Sequence, residues 1–334
     1  MRSFAVVVPR SEAEAVRRRL LETGLLDPAL RITSEGDVLL LPVRSPPGPP
    51  WLVRESDFEP ARPAPRTYRE VCRVPEALRE LLPTAYDQIG DVLLMKLPEP
   101  LIPHAAEIGR ALLEVNANAR VVGIDGGVKG PFRVREVRVV AGEERTETVH
   151  REHGVRLRVD LARAYYSPRL GTERLRIARL VRPGEVVVDL FSGVGPLALL
   201  IARVAPSATV YAVDANPEAF GALQENIRRN RAGNVRAVLG DAAEFLPTLR
   251  HADRIVLDLP HGAAAFLPAA IRSLRAGGTI HFYEILEVAE REARAAQLVA
   301  LGKVEGRQLG VTGTRSVHAY SASQSMFAYD LRVS

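Results

Sequence analysis

The clearest pattern along the chain lies in its C-terminal half, where short apolar runs alternate with segments of helix length. Strands separated in this way are typical of a parallel, doubly wound sheet. Two more apolar segments, 303–311 and 326–333, are joined by a loop with arginine and serine and predict a terminal β-pair. We therefore expect a Rossmann-like α/β domain at 166–334 with a seven-stranded, mostly parallel sheet. Its five parallel strands are predicted at 185–190, 209–213, 235–239, 254–257 and 278–285.

Two smaller α/β (α+β) modules are predicted before this domain, the first at 1–44. Apolar runs at 4–8 and 38–43 predict strands, and Ser11 with Glu14 has the spacing of a capping box at the start of a helix between them. Residues 45–66 are too rich in proline for a continuous helix or a central strand. We expect a semi-rigid linker there, with a polyproline ligand for a partner as the alternative.

The second module is predicted at 67–165. Its mixed pattern indicates a helix at 103–115 and strands at 91–97, at 119–124 and on both sides of the turn at 141–144. Three basic residues precede that turn and form either a solvated face or a surface that faces RNA. We expect a mixed α/β domain that binds RNA. The basic residues are Arg133, Arg135 and Arg138.

The composition excludes several classes of protein. Hydrophobic residues make up 47% of the chain and charged residues 25%, as in folded soluble domains. No apolar stretch reaches the roughly 18 residues of a membrane helix, so we expect a cytoplasmic protein with no membrane partner. The single cysteine, Cys72, permits no intrachain disulfide and no cysteine-rich zinc site, and no metal is predicted. A buried apolar role for Cys72 is favoured over a catalytic thiol.

Arginine carries almost all of the positive charge. The formal net charge is +5, and the lysines are Lys96, Lys129 and Lys303 alone. Guanidinium groups bind phosphate in bidentate fashion and stack on bases, which suits nucleic acid. Because codon bias or adaptation to heat also enriches arginine, the charge by itself leaves a nucleic-acid partner open.

The first strand of the doubly wound sheet leads into a turn that contains glycines. The sequence reads Asp-Leu-Phe-Ser-Gly-Val-Gly-Pro at 189–196. Gly193 and Gly195 permit a tight turn and a close approach of the backbone to a ligand at a helix N-terminus. With Ala198 the spacing also satisfies a dinucleotide-binding pattern, so NAD is an alternative.

Carboxylates favour a different cofactor. Asp189 precedes the glycine turn, where it repels a pyrophosphate but attracts a cofactor with a sulfonium and an amino group. Asp214, Asp241 and Asp258 end the next three strands, and the carboxyl ends of such strands face one crevice. Asp214 suits ribose hydroxyls and Asp241 suits the adenine amine. The set predicts S-adenosylmethionine.

A longer motif stands just before the first Rossmann strand. Residues 164–177 read Ala-Tyr-Tyr-Ser-Pro-Arg-Leu-Gly-Thr-Glu-Arg-Leu-Arg-Ile. With the turn at 189–196 and Asp-Leu-Pro at 258–260, this segment resembles the archaeal and eukaryotic tRNA (guanine-N1) methyltransferases, which modify position 37, 3′ of the anticodon. The resemblance spans the chain, including 1–44 and 86–91. It implies S-adenosylmethionine-dependent methylation of N1 of guanosine 37, with tRNA bound at its anticodon loop and body.

The resemblance also implies roles for single residues. Glu173 matches the family's general base, which removes the guanine N1 proton, and Arg133 matches the arginine that stabilises charge at O6. An i,i+3 ion pair with Arg176 is the alternative for Glu173. Tyr165 matches a tyrosine that shapes the cofactor and guanine pocket, with a plain core aromatic as the alternative. The other predicted residues are Ser167, Pro168 and Arg169 for substrate, Arg174, Phe191, Gly193, Gly195, Asp214, Ala215, Asp241, Ala242 and Asp258 for cofactor, and Asp258 and Pro260 for catalysis.

One position departs from the family pattern. The family usually has Asn-Leu-Pro at the end of the fourth strand, whereas this chain has Asp258. An asparagine side chain donates and accepts hydrogen bonds, but an ionised aspartate only accepts and repels negative charge on the base. We therefore expect Asp258 to act on the cofactor side or to be protonated.

Several other functions compete with this one. A wyosine-pathway enzyme that transfers the aminocarboxypropyl group generally lacks the small N-terminal module, so residues 1–44 favour methyl transfer. A paralogue that also methylates a wyosine precursor has the same architecture and is not separated by the sequence. The intact glycines, carboxylates and Glu173 disfavour a non-catalytic tRNA-binding scaffold. The accessory domains disfavour methylation of a protein or small molecule. We expect a monomer.

Overall fold

The structure is a computed structural model that describes residues 1–61, 67–249 and 251–334. It divides into two compact units, Met1–Val71 and Cys72–Ser334. The strands are β1 (Arg2–Pro9), β2 (Thr33–Glu35), β3 (Val38–Val43), β4 (Leu52–Asp57), β5 (Asp87–Ile89), β6 (Val92–Met95), β7 (Val121–Lys129), β8 (Val134–Gly142), β9 (Glu147–Glu152), β10 (Val155–Asp160), β11 (Val186–Asp189), β12 (Thr209–Asp214), β13 (Val235–Leu239), β14 (Ala252–Leu257), β15 (Leu274–Glu287), β16 (Leu309–Ala319) and β17 (Gln324–Val333). The helices are α1 (Ala13–Glu22), α2 (Tyr68–Val71), α3 (Ala105–Val115), α4 (Gly171–Leu180), α5 (Pro196–Val204), α6 (Pro217–Asn230), α7 (Ala242–Phe245), α8 (Leu267–Ser273) and α9 (Arg291–Val304). Within the described ranges, no helix is both long enough and apolar enough to span a membrane.

The first unit is a four-stranded antiparallel sheet in the order β2-β3-β1-β4 with helix α1 packed on it. Leu20 of α1 lies in one apolar cluster with Val6 of β1 and Leu41 of β3. The α/β character predicted for the N-terminal module is therefore confirmed. The predicted capping box of Ser11 and Glu14 is wrong. The Glu12 N–H donates to the Pro9 carbonyl at 3.0 Å, and α1 begins at Ala13 with no hydrogen bond from a capping side chain.

Strand β4 corrects the predicted linker at 45–66. The stretch between Pro50 and Pro60 contains no proline, and its residues 52–57 pair antiparallel with β1. Because β4 lies at the sheet edge, the expectation that this region forms no central strand agrees with the structure. The part of the predicted linker at 62–66 lies outside the described residues.

In the second unit, a four-stranded sheet in the order β5-β6-β7-β8 carries helix α3 on one face. The predicted helix at 103–115 corresponds to α3, and the predicted strands at 91–97 and 119–124 correspond to β6 and β7. Strands β9 and β10 form a separate two-stranded sheet. One apolar cluster joins Leu94 and Leu157 of these smaller sheets to Val187 of β11, so the predicted boundary at 165/166 falls inside one compact unit.

The largest sheet has seven strands in the order β13-β12-β11-β14-β15-β17-β16. The first five are parallel, and β17 runs antiparallel to both of its neighbours, which confirms the predicted architecture. The predicted strand at 303–311 is wrong at its start, because α9 extends to Val304. Gly306, with φ +70°, ends that helix, and the Arg307 N–H donates to the Gly302 carbonyl at 2.9 Å.

Two asparagines of α6 pair with the open edge of β10. The Asn226 side chain accepts from the Arg158 N–H at 2.7 Å and donates to the Arg158 carbonyl at 2.9 Å. One turn later, Asn230 makes the same pair of bonds to Arg156 at 2.9 and 2.7 Å. Asn226 also donates to the Val194 carbonyl in the glycine turn at 3.0 Å. These amides join the two-stranded sheet, helix α6 and the glycine turn.

We predict that Asn226→Leu lowers the thermal unfolding midpoint more than Asn230→Leu. Asn226 is fully buried, so its loss leaves buried backbone groups unpaired, which costs about 1–3 kcal/mol each. The matched bonds of Asn230 are exposed to solvent, so water replaces them and the cost stays below about 1 kcal/mol. Circular dichroism melting curves test this, and equal shifts for the two variants contradict it.

Candidate active site

A pocket of about 360 Å³ opens at the carboxyl ends of the parallel strands in the second unit. This volume is typical of small-molecule sites. Thirteen of the sequence-predicted site residues line the pocket, and they come from the turn before β8, the 165–174 segment and four strand ends. They are Arg133, Tyr165, Ser167, Arg174, Asp189, Phe191, Gly193, Asp214, Ala215, Asp241, Ala242, Asp258 and Pro260.

The glycine turn is held by the next strand of the sheet. Gly193 has φ +53°, and its N–H donates to Asp214 Oδ2 at 2.6 Å. Asp214 Oδ1 accepts from the Asn216 N–H at 2.9 Å. Gly195 has φ +87° but does not line the pocket; a Cβ there would lie 2.4 Å from Leu223 Cδ1. The structure therefore supports a packing role for Gly195 in place of the predicted cofactor contact.

Four aspartates line the pocket, and burial raises the pKa of three of them. Burial and the charges of Asp258 and Asp214 raise the pKa of Asp189 to about 8. Burial raises the pKa of Asp258 to about 6, which Arg174 opposes and Glu173 reinforces. Burial also raises the pKa of Asp214. This electrostatic environment disfavours a pyrophosphate and fits S-adenosylmethionine, which carries a sulfonium and an ammonium group.

The opposite part of the pocket suits a planar, neutral group. Phe191 packs edge-to-face on Phe266 with ring centroids 5.2 Å apart, and both rings line the pocket. Asp241 follows β13 and caps α7 by accepting from the Ala243 N–H at 2.7 Å. Ala242 is buried beside it. An aromatic wall with a nearby carboxylate provides both a stacking surface and an acceptor for an adenine amine.

Arg133 lies in a strained backbone conformation at the pocket. Its φ is +53°, and its N–H closes a turn onto the Gly130 carbonyl at 3.1 Å. No carboxylate among the described residues pairs with its guanidinium. Non-glycine residues with positive φ cost energy and cluster at functional sites. Arg133 is thus an unneutralised cation held beside the cofactor residues.

Tyr165 faces the pocket and is 37% exposed, so the alternative of a plain core aromatic is wrong. The Arg135 guanidinium lies 5.4 Å from its ring centroid. Arg135 is itself held by an ion pair with Asp125 and donates to the Tyr166 carbonyl at 3.3 Å. A cation–π contact with Arg135 therefore helps to hold the Tyr165 ring in place.

Arg174 lines the pocket with a guanidinium that already has partners. It is buried, pairs with Glu152 at 2.6 Å and donates to the Ser167 carbonyl at 2.6 Å. Its guanidinium also lies 5.2 Å from the Tyr166 ring centroid. These bonds give Arg174 a structural role, and its contact with a cofactor carboxylate stays a prediction.

Glu173 does not line the pocket. Its carboxylate accepts from Arg176 at 2.9 and 2.6 Å and from the Tyr283 hydroxyl at 2.7 Å. Burial favours a higher pKa, but the bonds from Arg176 and Tyr283 outweigh it and lower the pKa of Glu173. The alternative of an i,i+3 ion pair is present in the structure, and the role of general base stays a prediction.

The substrate residues predicted at 167–169 separate in space. Ser167 lines both the pocket and an adjoining cavity of about 540 Å³. Arg169 lines the adjoining cavity alone and pairs with Asp87 at 2.9 Å. Pro168 begins a short 3₁₀ turn and lines neither. The structure therefore gives no support to a direct contact of Pro168 with substrate.

Several lining residues were missed by the sequence reasoning. Phe132 lies in the turn before β8, and Tyr320 and Met326 flank the turn between β16 and β17. They belong to no motif and are distant in sequence from the glycine turn. An aromatic residue beside the serine-containing turn was the available signal for Tyr320.

Comparisons with known proteins agree with this arrangement. A family profile described as the TRM5/TYW2 methyltransferase domain matches residues 148–303. Profiles of the TYW2 N-terminal domain and the tRNA methyltransferase 5 N-terminal domain match 70–146 and 5–49. The tRNA (guanine(37)-N(1))-methyltransferase Trm5b of Pyrococcus abyssi is 42% identical over 334 residues, with 99% of each chain covered. This chain belongs to the Trm5/TYW2 family.

Solved structures of the family share the fold. The crystal structure of P. abyssi Trm5b has a TM-score of 0.76 at 41% identity and covers 99% of each chain. The complex of aTrm5 with tRNALeu has a TM-score of 0.73 at 30% identity and covers 99% of this chain and 100% of that one. Methanocaldococcus jannaschii TYW2, solved with AdoMet, has a TM-score of 0.59 at 25% identity over 75% of this chain and 99% of its own. The predicted fold, family and S-adenosylmethionine dependence are confirmed.

We predict that Asp214→Ala and Gly193→Val each abolish binding of S-adenosylmethionine. The first removes the ribose acceptor and releases the Gly193 N–H, and the second places a β-branched residue at a φ of +53°. Titration calorimetry measures the affinity, and circular dichroism checks that each variant is folded. Wild-type affinity in both folded variants contradicts the site assignment.

We predict that binding of S-adenosylmethionine releases a proton from Asp189. With a pKa of about 8, this carboxyl is mostly protonated at neutral pH, and a neighbouring cation favours its ionised form. The affinity should therefore rise with pH and level off above about pH 8. Calorimetry in buffers of different ionisation enthalpy counts the protons. Asp189→Asn should abolish the release, and an equal release in that variant contradicts the assignment.

Proposed function

We propose that this chain transfers a methyl group from S-adenosylmethionine to N1 of guanosine 37 in tRNA. P. abyssi Trm5b, whose name states this reaction, matches the chain over almost its full length. The observation that carries the proposal is a single pocket in which the carboxylate-rich cofactor residues meet the unpaired guanidinium of Arg133. When bound, the cofactor supplies an electrophilic methyl group.

Arg133 is suited to the charge that develops during the reaction. Guanine N1 carries a proton at neutral pH, and its removal places negative charge on O6. A preorganised cation near that oxygen stabilises the transition state more than the ground state. Arg133 has no neutralising partner among the described residues and is held by the turn that begins at Gly130. We therefore assign it to O6.

Glu173 is the proposed base, as the family resemblance implies. Its lowered pKa keeps the carboxylate ionised at neutral pH, which an acceptor requires. Arg176 and Tyr283 donate three hydrogen bonds to this carboxylate, which has about four acceptor positions, so about one position is left for the N1 proton of a bound guanine. Glu173 and Asp258 lie close enough for the charge of one to raise the pKa of the other.

Asp258 is a second candidate for the base. It lines the pocket directly, and no donor in the described part of the chain bonds to its carboxylate. Its pKa of about 6 is near the operating pH, where a general base is most effective. The family's asparagine is a poor proton acceptor, so this role belongs to the aspartate of this chain.

The N-terminal module favours methyl transfer over aminocarboxypropyl transfer. Residues 5–49 match the tRNA methyltransferase 5 N-terminal domain, whereas the M. jannaschii TYW2 structure covers 75% of this chain. A nucleoside assay distinguishes methylation of guanosine 37 from methylation of a wyosine precursor by the same site. A monomeric state and a cytoplasmic location stay predictions.

Mass spectrometry of nucleosides tests the function. A tRNA transcript with guanosine 37 is incubated with the protein and S-adenosylmethionine, and a transcript with adenosine 37 is the control. We expect N1-methylguanosine from the first alone. An aminocarboxypropyl adduct, or methylation that ignores position 37, contradicts the proposal. A transcript carrying a wyosine precursor reports the additional activity.

We predict that Glu173→Gln slows single-turnover methyl transfer by about 10²–10⁴-fold with little change in tRNA or cofactor binding. Arg133→Ala should also slow the chemistry through lost stabilisation at O6. Because both residues act on one charge separation, the double variant should be impaired less than multiplicatively. Quench-flow kinetics at saturating cofactor measure these rates. A wild-type rate for Glu173→Gln removes Glu173 from the mechanism.

The pH profile distinguishes the two carboxylates. A general base is ionised above its pKa, so the rate of methyl transfer rises with pH through that value. This rising part of the pH profile is the limb of that base. For Glu173 the limb lies below the ordinary glutamate range, and the rate is flat near neutrality. For Asp258 the rate rises through about pH 6. Asp258→Asn removes that limb only if Asp258 is the base.

A further inference from the structure

Tyr320 stands where the cofactor pocket meets the adjoining cavity. It lines both the pocket of about 360 Å³ and the cavity of about 540 Å³. It is 51% exposed although it lines both of them. An exposed aromatic ring at the junction of two cavities provides a flat apolar surface for a ligand that enters from one cavity toward the other.

The Tyr320 ring is held in position. The His318 ring packs edge-to-face with it, with centroids 5.0 Å apart. The Tyr320 N–H donates to the Gln324 carbonyl at 2.9 Å, and the Ser321 N–H donates to the same oxygen at 3.1 Å. Ser321 Oγ in turn accepts from the Gln324 N–H at 3.0 Å. These hydrogen bonds close the turn between β16 and β17 and hold the backbone that carries Tyr320. The contact with His318 holds the ring itself.

The adjoining cavity is rich in cations. Its acidic residues pair with two of its arginines, Asp87 with Arg169 and Asp125 with Arg135. The net positive charge therefore comes from Lys96 and Arg133, which have no carboxylate partner among the described residues. Cations beside an exposed aromatic ring are the combination that binds single-stranded nucleic acid, the cations through phosphates and the ring through a base. The cationic and imidazole side chains that line the cavity are Lys96, Arg133, Arg135, Arg169, His261 and His318.

We propose that Tyr320 stacks on the guanine that is to be methylated and holds it at the mouth of the cofactor pocket. This inference rests on the proposed function and adds a positioning residue to it. A base that leaves the anticodon loop loses its stacking neighbours, and an aromatic ring in the site offsets that loss. Tyr165 and Arg133, which also line both cavities, lie near enough to influence the titration of Tyr320.

The role belongs to the ring and not to the hydroxyl. Burial and the neighbouring Tyr165 raise the pKa of Tyr320, so its phenol stays protonated near neutral pH and is no base. Phenylalanine keeps the ring, whereas alanine and leucine remove it. The three variants therefore separate stacking from hydrogen bonding and from simple filling of space.

Two measurements on the full chain test the proposal. In single-turnover assays at saturating tRNA, Tyr320→Ala and Tyr320→Leu should lose about 10- to 100-fold in rate, as expected for one lost base–aromatic stack, and Tyr320→Phe should recover most of it. Because Tyr320 lines the cofactor pocket, calorimetry measures the cofactor affinity of each variant, and the rates are compared at saturating cofactor. The second measurement uses an anticodon stem-loop with 2-aminopurine at position 37. Its fluorescence should be quenched by the wild type and Tyr320→Phe, and less by Tyr320→Ala.

The outcomes separate this inference from the proposed function. Equal rates and equal quenching in Tyr320→Ala and the wild type overturn the stacking role, even when N1-methylguanosine forms. A wild type that forms no N1-methylguanosine refutes the proposed function, whereas ring-dependent quenching in that case still supports Tyr320 as a base platform. A rate lost equally in Tyr320→Phe and Tyr320→Ala contradicts the proposal, because the hydroxyl then carries the effect.

Discussion

The site depends on the hydrogen bonds that helix α6 makes to the open edge of β10. Asn226 and Asn230 replace a missing strand, since each satisfies both backbone groups of one arginine of β10. Asn216, at the start of the same helix, donates to the Arg163 carbonyl at 2.8 Å. The backbone from β10 to residue 163 is therefore fixed to the Rossmann-like sheet, and Tyr165, two residues further on, is held beside the glycine turn. A pocket whose walls come from distant segments of the chain requires hydrogen bonds of this kind between those segments.

Electrostatic repulsion is a second constraint, and it arises from the sheet itself. Parallel strands end at the same edge, so Asp189, Asp214 and Asp258 are brought together whatever their preferred charge. Only Asp214 is stabilised by two backbone N–H groups, and the other two carboxylates have pKa values well above those of free aspartates. The cation of the site, Arg133, lies on a different module and has no partner among the described residues. The pocket thus contains a cluster of carboxylates together with a guanidinium, Arg133, that has no carboxylate partner in the described part of the chain.

The sequence predicted those features that depend on neighbours along the chain. Buried strands of four to eight residues, glycines with positive φ and carboxylates at strand ends all leave local signals, and most of the pocket follows from them. Features set by distant segments were missed. Strand β4 forms because β1 offers an edge, and Tyr320 reaches the site through the antiparallel return of β17. The surroundings of Glu173 belong to the same class, because Tyr283 is 110 residues away along the chain. The end of α9 is different, because Gly306, which stops the helix just after Val304, is a local signal.

The elevated pKa of Asp189 makes its protonation state depend on the charge of the bound cofactor. A cation beside the carboxylate cluster favours ionised Asp189, and once the methyl group has left, the sulfur is neutral and the part of the stabilisation that came from the sulfonium is gone. Asp189 then takes up a proton more readily, and retention of the spent molecule depends less on its ionised form. Turnover is therefore coupled to proton release and uptake at Asp189. Because the sulfonium form gains more from ionised Asp189 than the by-product does, inhibition by the by-product should be stronger in acidic than in alkaline solution.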